Sequence, residues 1–261
     1  LWTAPNTFVA SSNCALYCGA KVDFVDIDKD TWNMCPKKLR IKLEKSEKEN
    51  LLPKVVIPVH FSGQPTIQEE IYKLSKEYNF KIIEDASHSI GSSRHEEPSG
   101  SCKWSDIAVF SFHPVKMITT GEGGMALTNN EEYAKKMDLF RSHGITRDSS
   151  LLEKKDLPKY YYEQHALGYN YRMTDIHAAL GISQLKKIDK FIDTRNNLAS
   201  KYNSELKGLP IHLPFIAEGN MSSYHLYVIK IHDDFSKYKS RDKVYSELLE
   251  KGIGVNLHYL P

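Results

Sequence analysis

The feature that most constrains this chain is a regular exchange of helix-like and strand-like segments. A helical stretch over residues 8–17 precedes a β-branched, alternating run at 21–28. A lysine-rich amphipathic stretch follows at 36–49. The exchange then repeats as strand 54–60, helix 66–78, strand 80–85, strands 107–112 and 124–128, and helix 130–141. Strands alternating with helices of this length imply an α/β fold, with a mostly parallel sheet covered on both faces. At 261 residues and 41% hydrophobic composition, the chain can bury one large core and all or part of a second.

The lysines between residues 37 and 48 are interleaved with Glu44, Glu47 and Glu49, the pattern of a solvated helix face rather than a basic patch. Residues 145–168 contain Pro158, the run Tyr160-Tyr161-Tyr162 and little periodicity, so a long loop with a binding role is expected there. A long helix over 174–206, capped by Thr174 and broken at Gly208-Leu209-Pro210, holds the expected domain boundary. On this reading residues 1–195 form a large domain and residues 196–261 a smaller α+β unit. The smaller unit is built from strand 224–231, helix 240–251 closed by Gly252, and strand 255–259. The chain opens on Leu1 inside a strand-like run and stops at Pro261 directly after another. Sequence is therefore expected beyond both ends, with the N-terminal part of the large domain missing, the small domain incomplete, and any targeting signal left open.

Charge and cysteine usage remove several function classes. The 35 basic and 33 acidic residues are interspersed and give a net charge of +2, so no nucleic-acid partner is expected. Apolar runs such as 55–61 fall far short of the roughly 20 residues that cross a bilayer, so no membrane partner is expected. Cys14, Cys18, Cys35 and Cys102 are few and irregularly spaced, favouring reduced thiols and a cytoplasmic location. No second pair completes a zinc site with Cys14 and Cys18, and no metal is expected. Neither a G-x-G-x-x-G after the first strand nor a P-loop occurs, and Gly121-Glu-Gly-Gly124 leads into a strand rather than a helix, which leaves it without a phosphate nest.

Ligands of open α/β sheets gather at the carboxyl ends of strands, and two strand ends carry chemistry. Residues 82–88 end a buried strand in Glu84, Asp85 and then His88. Residues 109–116 end one in Ser111, His113 and Lys116. Taken singly, Asp85 could cap a turn, His88 could be a satisfied core histidine, and Lys116 could be one solvated lysine among many. Taken together, a strand-end carboxylate and a loop lysine on one sheet edge match a pyridinium-nitrogen partner and a Schiff-base lysine.

Eight segments in order carry a family resemblance: Thr7-Phe-Val-Ala10, Phe24-Val-Asp-Ile-Asp28, Glu84-Asp-Ala86, Phe110-Ser-Phe-His-Pro-Val-Lys116, Thr119-Thr-Gly-Glu-Gly-Gly124, Arg141-Ser-His-Gly144, Leu167-Gly-Tyr-Asn-Tyr-Arg-Met-Thr-Asp175 and Gly252-Ile-Gly-Val-Asn-Leu-His-Tyr259. Across its whole length the chain resembles the DegT/DnrJ/EryC1/StrS sugar aminotransferases. The resemblance implies the aspartate aminotransferase-like fold, pyridoxal 5'-phosphate (PLP) as cofactor, and a homodimer with shared active sites. Lys116 matches the lysine that carries the cofactor, and Asp85 the carboxylate that keeps the pyridine nitrogen protonated. His88 matches a residue near the cofactor's phenolate oxygen, Ser111 a phosphate ligand, and Phe8 the aromatic that stacks on the ring. Asn170 matches a residue reaching cofactor and substrate from the partner subunit, and Asn256, His258 and Tyr259 a segment lining the sugar site.

Lys116 stands where the family's deoxygenating members carry histidine, which implies amino transfer, with L-glutamate as donor. Trp104-Ser-Asp-Ile107, the Tyr-Tyr-Glu163-Gln164 segment, Ser222-Ser-Tyr-His225 and the Val-Asn-Leu-His-Tyr run most resemble members that aminate a UDP-linked 4-keto sugar in pseudaminic acid biosynthesis. Amination of another 4-keto or 3-keto nucleotide sugar is the alternative within the family, and a cofactor-free binding or regulatory relative is the alternative outside catalysis. One departure is visible: the family's Gly-Thr helix start, whose backbone amides hold the cofactor phosphate, is absent from this sequence.

Overall fold

A computed structural model describes residues 1–154, 158 and 160–259. The chain enters through β1 (Trp2–Thr3), α1 (Ala10–Tyr17), β2 (Asp23–Phe24), α2 (Pro36–Lys48), β3 (Val55–Ile57), α3 (Gln68–Tyr78) and β4 (Lys81–Asp85). A small hairpin, β5 (Ser93–Arg94) and β6 (Glu97–Pro98), precedes β7 (Ile107–Ser111), β8 (Gly124–Leu127) and α4 (Glu131–Arg141). The strands assemble in the order β2-β1-β3-β4-β7-β8. Every pairing is parallel except β7 with β8, as expected from the helix-separated strands.

Local chemistry explains the helices. Pro36 occupies the first turn of α2, where no amide partner is required, and Leu39 and Leu43 repeat on its buried face while Lys37, Lys45 and Lys48 are exposed to water. Each of those two leucines, fully buried, contributes about 1.5–3 kcal/mol of apolar transfer. Asn79 closes α3 in the left-handed conformation, and Asn130 caps α4 by accepting from the Tyr133 amide at 3.0 Å. The main core gathers Trp2, Val25, Met34, Val56, Ile71 and Ile82 under α2 and α3. A second cluster of Ala86, Phe110, Phe112 and Ile118 lies under the loops that follow β4 and β7.

The later elements depart from expectation in instructive ways. Within residues 145–168, β9 (Ile145–Thr146) and β10 (Glu163–Gln164) form a short antiparallel pair. The helix expected over 174–206 is two helices, α5 (Asp175–Leu185) and α6 (Ile188–Glu205), separated at Lys186 and Lys187. Thr174 does cap the first of them, accepting from the His177 amide at 3.3 Å. Then come β11 (Ile211–His212), β12 (Asn220–Met221), β13 (Lys230–Ile231), α7 (Asp233–Ser236) and α8 (Arg241–Glu250), the last capped by Ser240. The strand expected at 224–231 shrinks to β13, and residues 255–259 form no strand, because neither stretch finds a continuous neighbour to complete a ladder.

The stretch 215–226 is held by the antiparallel pairing of β12 with β5 and by polar groups. Gln64 donates to the Phe215 carbonyl at 2.9 Å and accepts from the Ala217 amide at 2.7 Å. Buried Arg94 forms a bidentate pair with Glu69 and also reaches the Glu218 carbonyl and Asn220 Oδ1. Gly63, at φ +105°, completes the seat. A Cβ there would lie 2.8 Å from Ser223 Oγ and 2.9 Å from the amides of Tyr224 and His225.

Candidate active site

Because β4 and β7 run parallel with Asp85 opposite Val109, the loops after both strands open on the same edge of the sheet. Asp85 sits at that edge with its carboxylate fixed. Ser11 on α1 donates to Oδ2 at 2.6 Å, and the Ser87 amide donates to Oδ1 at 3.1 Å. Ser11 is in turn tied to Thr7 at 2.9 Å, so the first helix and the loop before it are built around this acid. Behind it, buried Glu84 meets His60 Nε2 at 3.2 Å. The Thr66 amide donates to His60 Nδ1, which leaves the ring proton on Nε2, directed at Glu84.

Lys116 lies in the tight loop that follows β7. Its amide donates to the His113 carbonyl at 2.9 Å, and the loop is closed by Thr119 Oγ1 and the Thr120 amide, both donating to the Phe112 carbonyl. The amine is half-buried. Burial lowers its pKa from that of a free lysine, while the charge of nearby Asp85 works in the opposite direction. A basic nitrogen with reduced proton affinity, close to a fixed carboxylate, has the properties of a nucleophilic amine.

His88 is buried at 4% exposure, and its ring is held below the usual imidazole range, to about 3, by burial and then by Lys116 and His258. Its Nε2 meets the Tyr259 hydroxyl at 3.2 Å. Tyr259 also lies with its ring centroid 5.9 Å from that of Phe8, and burial followed by the Asp85 charge pushes its phenol up to about 12. His258 adjoins the same cleft; burial, then Lys116, lowers its pKa. Phe8, Asp85, His88, Lys116, His258 and Tyr259 thus converge from four separate stretches of chain.

The hydrogen bonds of the remaining expected residues are local ones. Ser111 ends β7 and accepts from the His113 amide at 3.4 Å. Asn170 is exposed and pairs by backbone with Ser142. Asn256 is exposed, its side chain turned to the Leu257 amide. Two residues outside the expected set belong to the group. Ser11 orients Asp85, and the sequence signal for it is the i, i+4 spacing of Ser11 and Ala15 on the buried face of α1. His225 packs its ring 4.4 Å from His88 at 7% exposure. The one short-range hint of it is its place in the Ser222-Ser-Tyr-His225 motif.

The donor set is suited to a pyridoxal ring: a fixed carboxylate for a ring N–H, a neutral imidazole for a ring hydroxyl, and an amine for an aldehyde.

All of residues 1–261 match the profile of the DegT/DnrJ/EryC1/StrS aminotransferase family. The chain belongs to that family. It is 41% identical to the UDP-4-amino-4,6-dideoxy-N-acetyl-beta-L-altrosamine transaminase of Campylobacter jejuni over 99% of its own length, and it spans 65% of the length of that relative. Among solved structures, it superposes on PseC of Helicobacter pylori, an aminotransferase involved in the biosynthesis of pseudoaminic acid. The TM-score is 0.84 at 32% identity, covering 100% of this chain and 65% of that one. It also superposes on a Streptococcus pneumoniae protein assigned as a sugar aminotransferase, in its PLP form, with TM-score 0.81 at 28% identity over 99% of this chain and 66% of that one. The family carries the aminotransferase fold of these neighbours, in agreement with the mostly parallel sheet described above. Among the described residues no helix is long and apolar enough to cross a membrane, and no cluster of three or more His, Cys, Asp or Glu side chains is arranged to hold a metal.

Proposed function

We propose that this chain is part of a PLP-dependent nucleotide-sugar aminotransferase. On this reading L-glutamate is the amino donor and a UDP-linked 2-acetamido-2,6-dideoxy-4-keto-hexose the acceptor, aminated at C4 as in pseudaminic acid synthesis. The observation that carries the reading is the meeting of a clamped Asp85 with a half-buried, depressed Lys116 on one sheet edge. The substrate assignment rests on the Campylobacter and Helicobacter relatives. We further propose that residues 1–195 act as the cofactor-binding domain and residues 196–261 as part of a smaller one. The enzyme works in the cytoplasm as a homodimer, with Asn170 serving the partner's site.

The cofactor, when bound, supplies an electrophilic carbon and an electron-withdrawing ring. The chain supplies the rest. Asp85 presents a carboxylate to the ring nitrogen, and Ser11 and the Ser87 amide keep that carboxylate from turning away. Lys116 would hold the cofactor, and its half-buried amine, when free, would move a proton to and from the substrate's α-carbon. His88 would offer an uncharged imidazole to the ring oxygen, Phe8 would cover the ring face, and Ser111 would serve the phosphate. His258, Tyr259 and Asn256 orient the sugar, where one unpaired hydrogen bond distinguishes one stereocentre.

The test uses the chain extended to the full length of its curated relatives. Borohydride treatment is expected to fix the cofactor to Lys116, read by peptide mass, and Lys116→Ala to abolish the adduct and the amination of the keto sugar. Labelling of another lysine refutes the assignment of Lys116. Preference for a dTDP-linked sugar refutes the substrate alone.

A further inference from the structure

Behind the strand end that carries Asp85 lies a polar pair that takes no part in the chemistry of the cleft. His60 and Glu84 are 0% and 1% exposed, and His60 Nε2 stands 3.2 Å from a Glu84 carboxylate oxygen. Successive residues of a strand face opposite sides of the sheet, so Glu84 shares the buried face of β4 with Ile82 and turns away from the side that Asp85 presents. It is not placed to touch a ligand. A carboxylate enters a protein interior only with a partner, and here the partner is a single histidine from the end of the neighbouring strand.

The bond between them has one direction. The Thr66 amide donates to His60 Nδ1 at 3.1 Å, so that nitrogen is bare, the ring is neutral, and its one proton sits on Nε2, directed at Glu84. Burial opposes ionisation of Glu84, and the bond from His60 outweighs it, holding the acid below the usual carboxylate range. The turn that carries the ring is fixed from outside as well. Asn33 accepts from the Phe61 amide at 2.9 Å and donates to the Gln64 and Pro65 carbonyls at 2.9 and 3.2 Å.

The main chains of the two segments close a ring around this bond. The Asp85 amide donates to the Pro58 carbonyl at 3.0 Å, and the His60 amide donates to the Asp85 carbonyl at 3.0 Å. Both backbone groups of Asp85 thus end on residues 58–60, and the side chain of residue 60 returns to Glu84, the residue before Asp85. Since β3 ends at Ile57, the lone Val59–Asp85 bridge and this side-chain tie are what join the two segments at Asp85. We infer that His60 and Glu84 are positioning residues for Asp85: their hydrogen bond clamps the end of β4 to the turn after β3 and so fixes the main chain from which the Asp85 carboxylate reaches the ring nitrogen of PLP. The inference rests on the assignment of Asp85 as that nitrogen's partner. Ser11 and the Ser87 amide aim the carboxylate, while the buried pair anchors its backbone.

Wild type, Glu84→Gln and Glu84→Met are compared in the chain extended to the full length of its curated relatives. Gln still accepts from His60, whereas Met fills a similar volume and accepts nothing. In the apoprotein, amide hydrogen exchange read by NMR is expected to quicken about tenfold at His60 and Asp85 in Glu84→Met, the scale of one lost buried hydrogen bond, and to stay near wild type in Glu84→Gln and throughout α2. After loading with 15N-labelled PLP, the ring nitrogen resonance of wild type and Glu84→Gln is expected at the protonated position, and that of Glu84→Met displaced toward the unprotonated one. Should Glu84→Met not fold, His60→Asn, which still accepts from the Thr66 amide but falls short of Glu84, replaces it. Unchanged exchange at Asp85, equal quickening in α2, or a wild-type ring resonance in the variant that breaks the bond overturns the inference, as does Glu84→Gln behaving like Glu84→Met. A wild-type ring nitrogen at the unprotonated position refutes the assignment of Asp85 instead, and the exchange rates of the apoprotein then decide the clamp alone.

Discussion

Replacing His225 by Phe should flatten the acid limb of the stability curve. His88 and His225 are neutral in the folded protein down to about 3 and about 2, whereas unfolded histidine takes up its proton near 6.5. Their folded pKa values are depressed. The unfolded state therefore binds more protons below pH 6.5, and stability falls as pH falls through that range. Each histidine contributes at most about 1.4 kcal/mol per pH unit, so the pair removes up to about 5 kcal/mol between pH 6.5 and 4.5. His258, also depressed, adds a loss of the same sign. The paired carboxylates Glu69 and Glu84, whose folded pKa values are lowered, lose their contribution as pH falls from the ordinary carboxylate pKa toward the folded one, at and beyond the acid edge of this window. Urea unfolding followed by tryptophan fluorescence at half-unit steps of pH measures the effect. The variant curve should fall about 1.4 kcal/mol per pH unit less steeply than wild type, whatever its stability at pH 7. Parallel curves would show that His225 already carries a proton in the fold or is hydrated there, and would refute the reasoning.

Three further outcomes follow from the geometry. Ser11→Ala removes a 2.6 Å bond to an ionised carboxylate and should weaken PLP binding by roughly 10- to 100-fold in a fluorescence titration of the full-length apoenzyme, an effect of about 1.5–3 kcal/mol, with Ser11→Thr intermediate. Gly63→Ala places a methyl against backbone amides at 2.9 Å at a φ that L-residues avoid, and should lower the urea midpoint more than Gly208→Ala, where a Cβ meets nothing within 4 Å. Mixed dimers of Lys116→Ala and Asn170→Ala subunits should recover part of the activity that each lacks alone, by assembling one site with both residues intact; absence of recovery under subunit exchange refutes the shared site.

Much of the sheet was legible because its strands are short apolar runs between helices, and β-branched runs in that setting have few alternatives. Strand ends were less so. The run 21–28 pairs only through Asp23–Phe24 and a lone bridge from Ile27 to Met34, and 224–231 forms a strand only at Lys230–Ile231, since a ladder needs a neighbour that no local pattern announces. Asp85, His88 and Lys116 stood out because they end strands, a position readable from one segment at a time. His225 did not, since its meaning depends on a ring 137 positions earlier in the chain (225 − 88). Ser11 was hidden for another reason: a serine in a helix reads as neutral until its partner is known to be a carboxylate 74 residues away.

The bond between Tyr259 and His88 spans 171 residues, and the Gln64 contacts with Phe215 and Ala217 span 151 and 153. Sheet pairing among β1, β3 and β4 closes much shorter loops, so its entropy cost is met earlier in folding. The layered core can therefore form while the cleft still lacks one wall, with Phe61 and the two histidines open to water. During synthesis the ribosome must deliver residue 259 before that wall exists. Over that interval the nascent chain holds a sheet without a finished site, and it is the species a chaperone would meet.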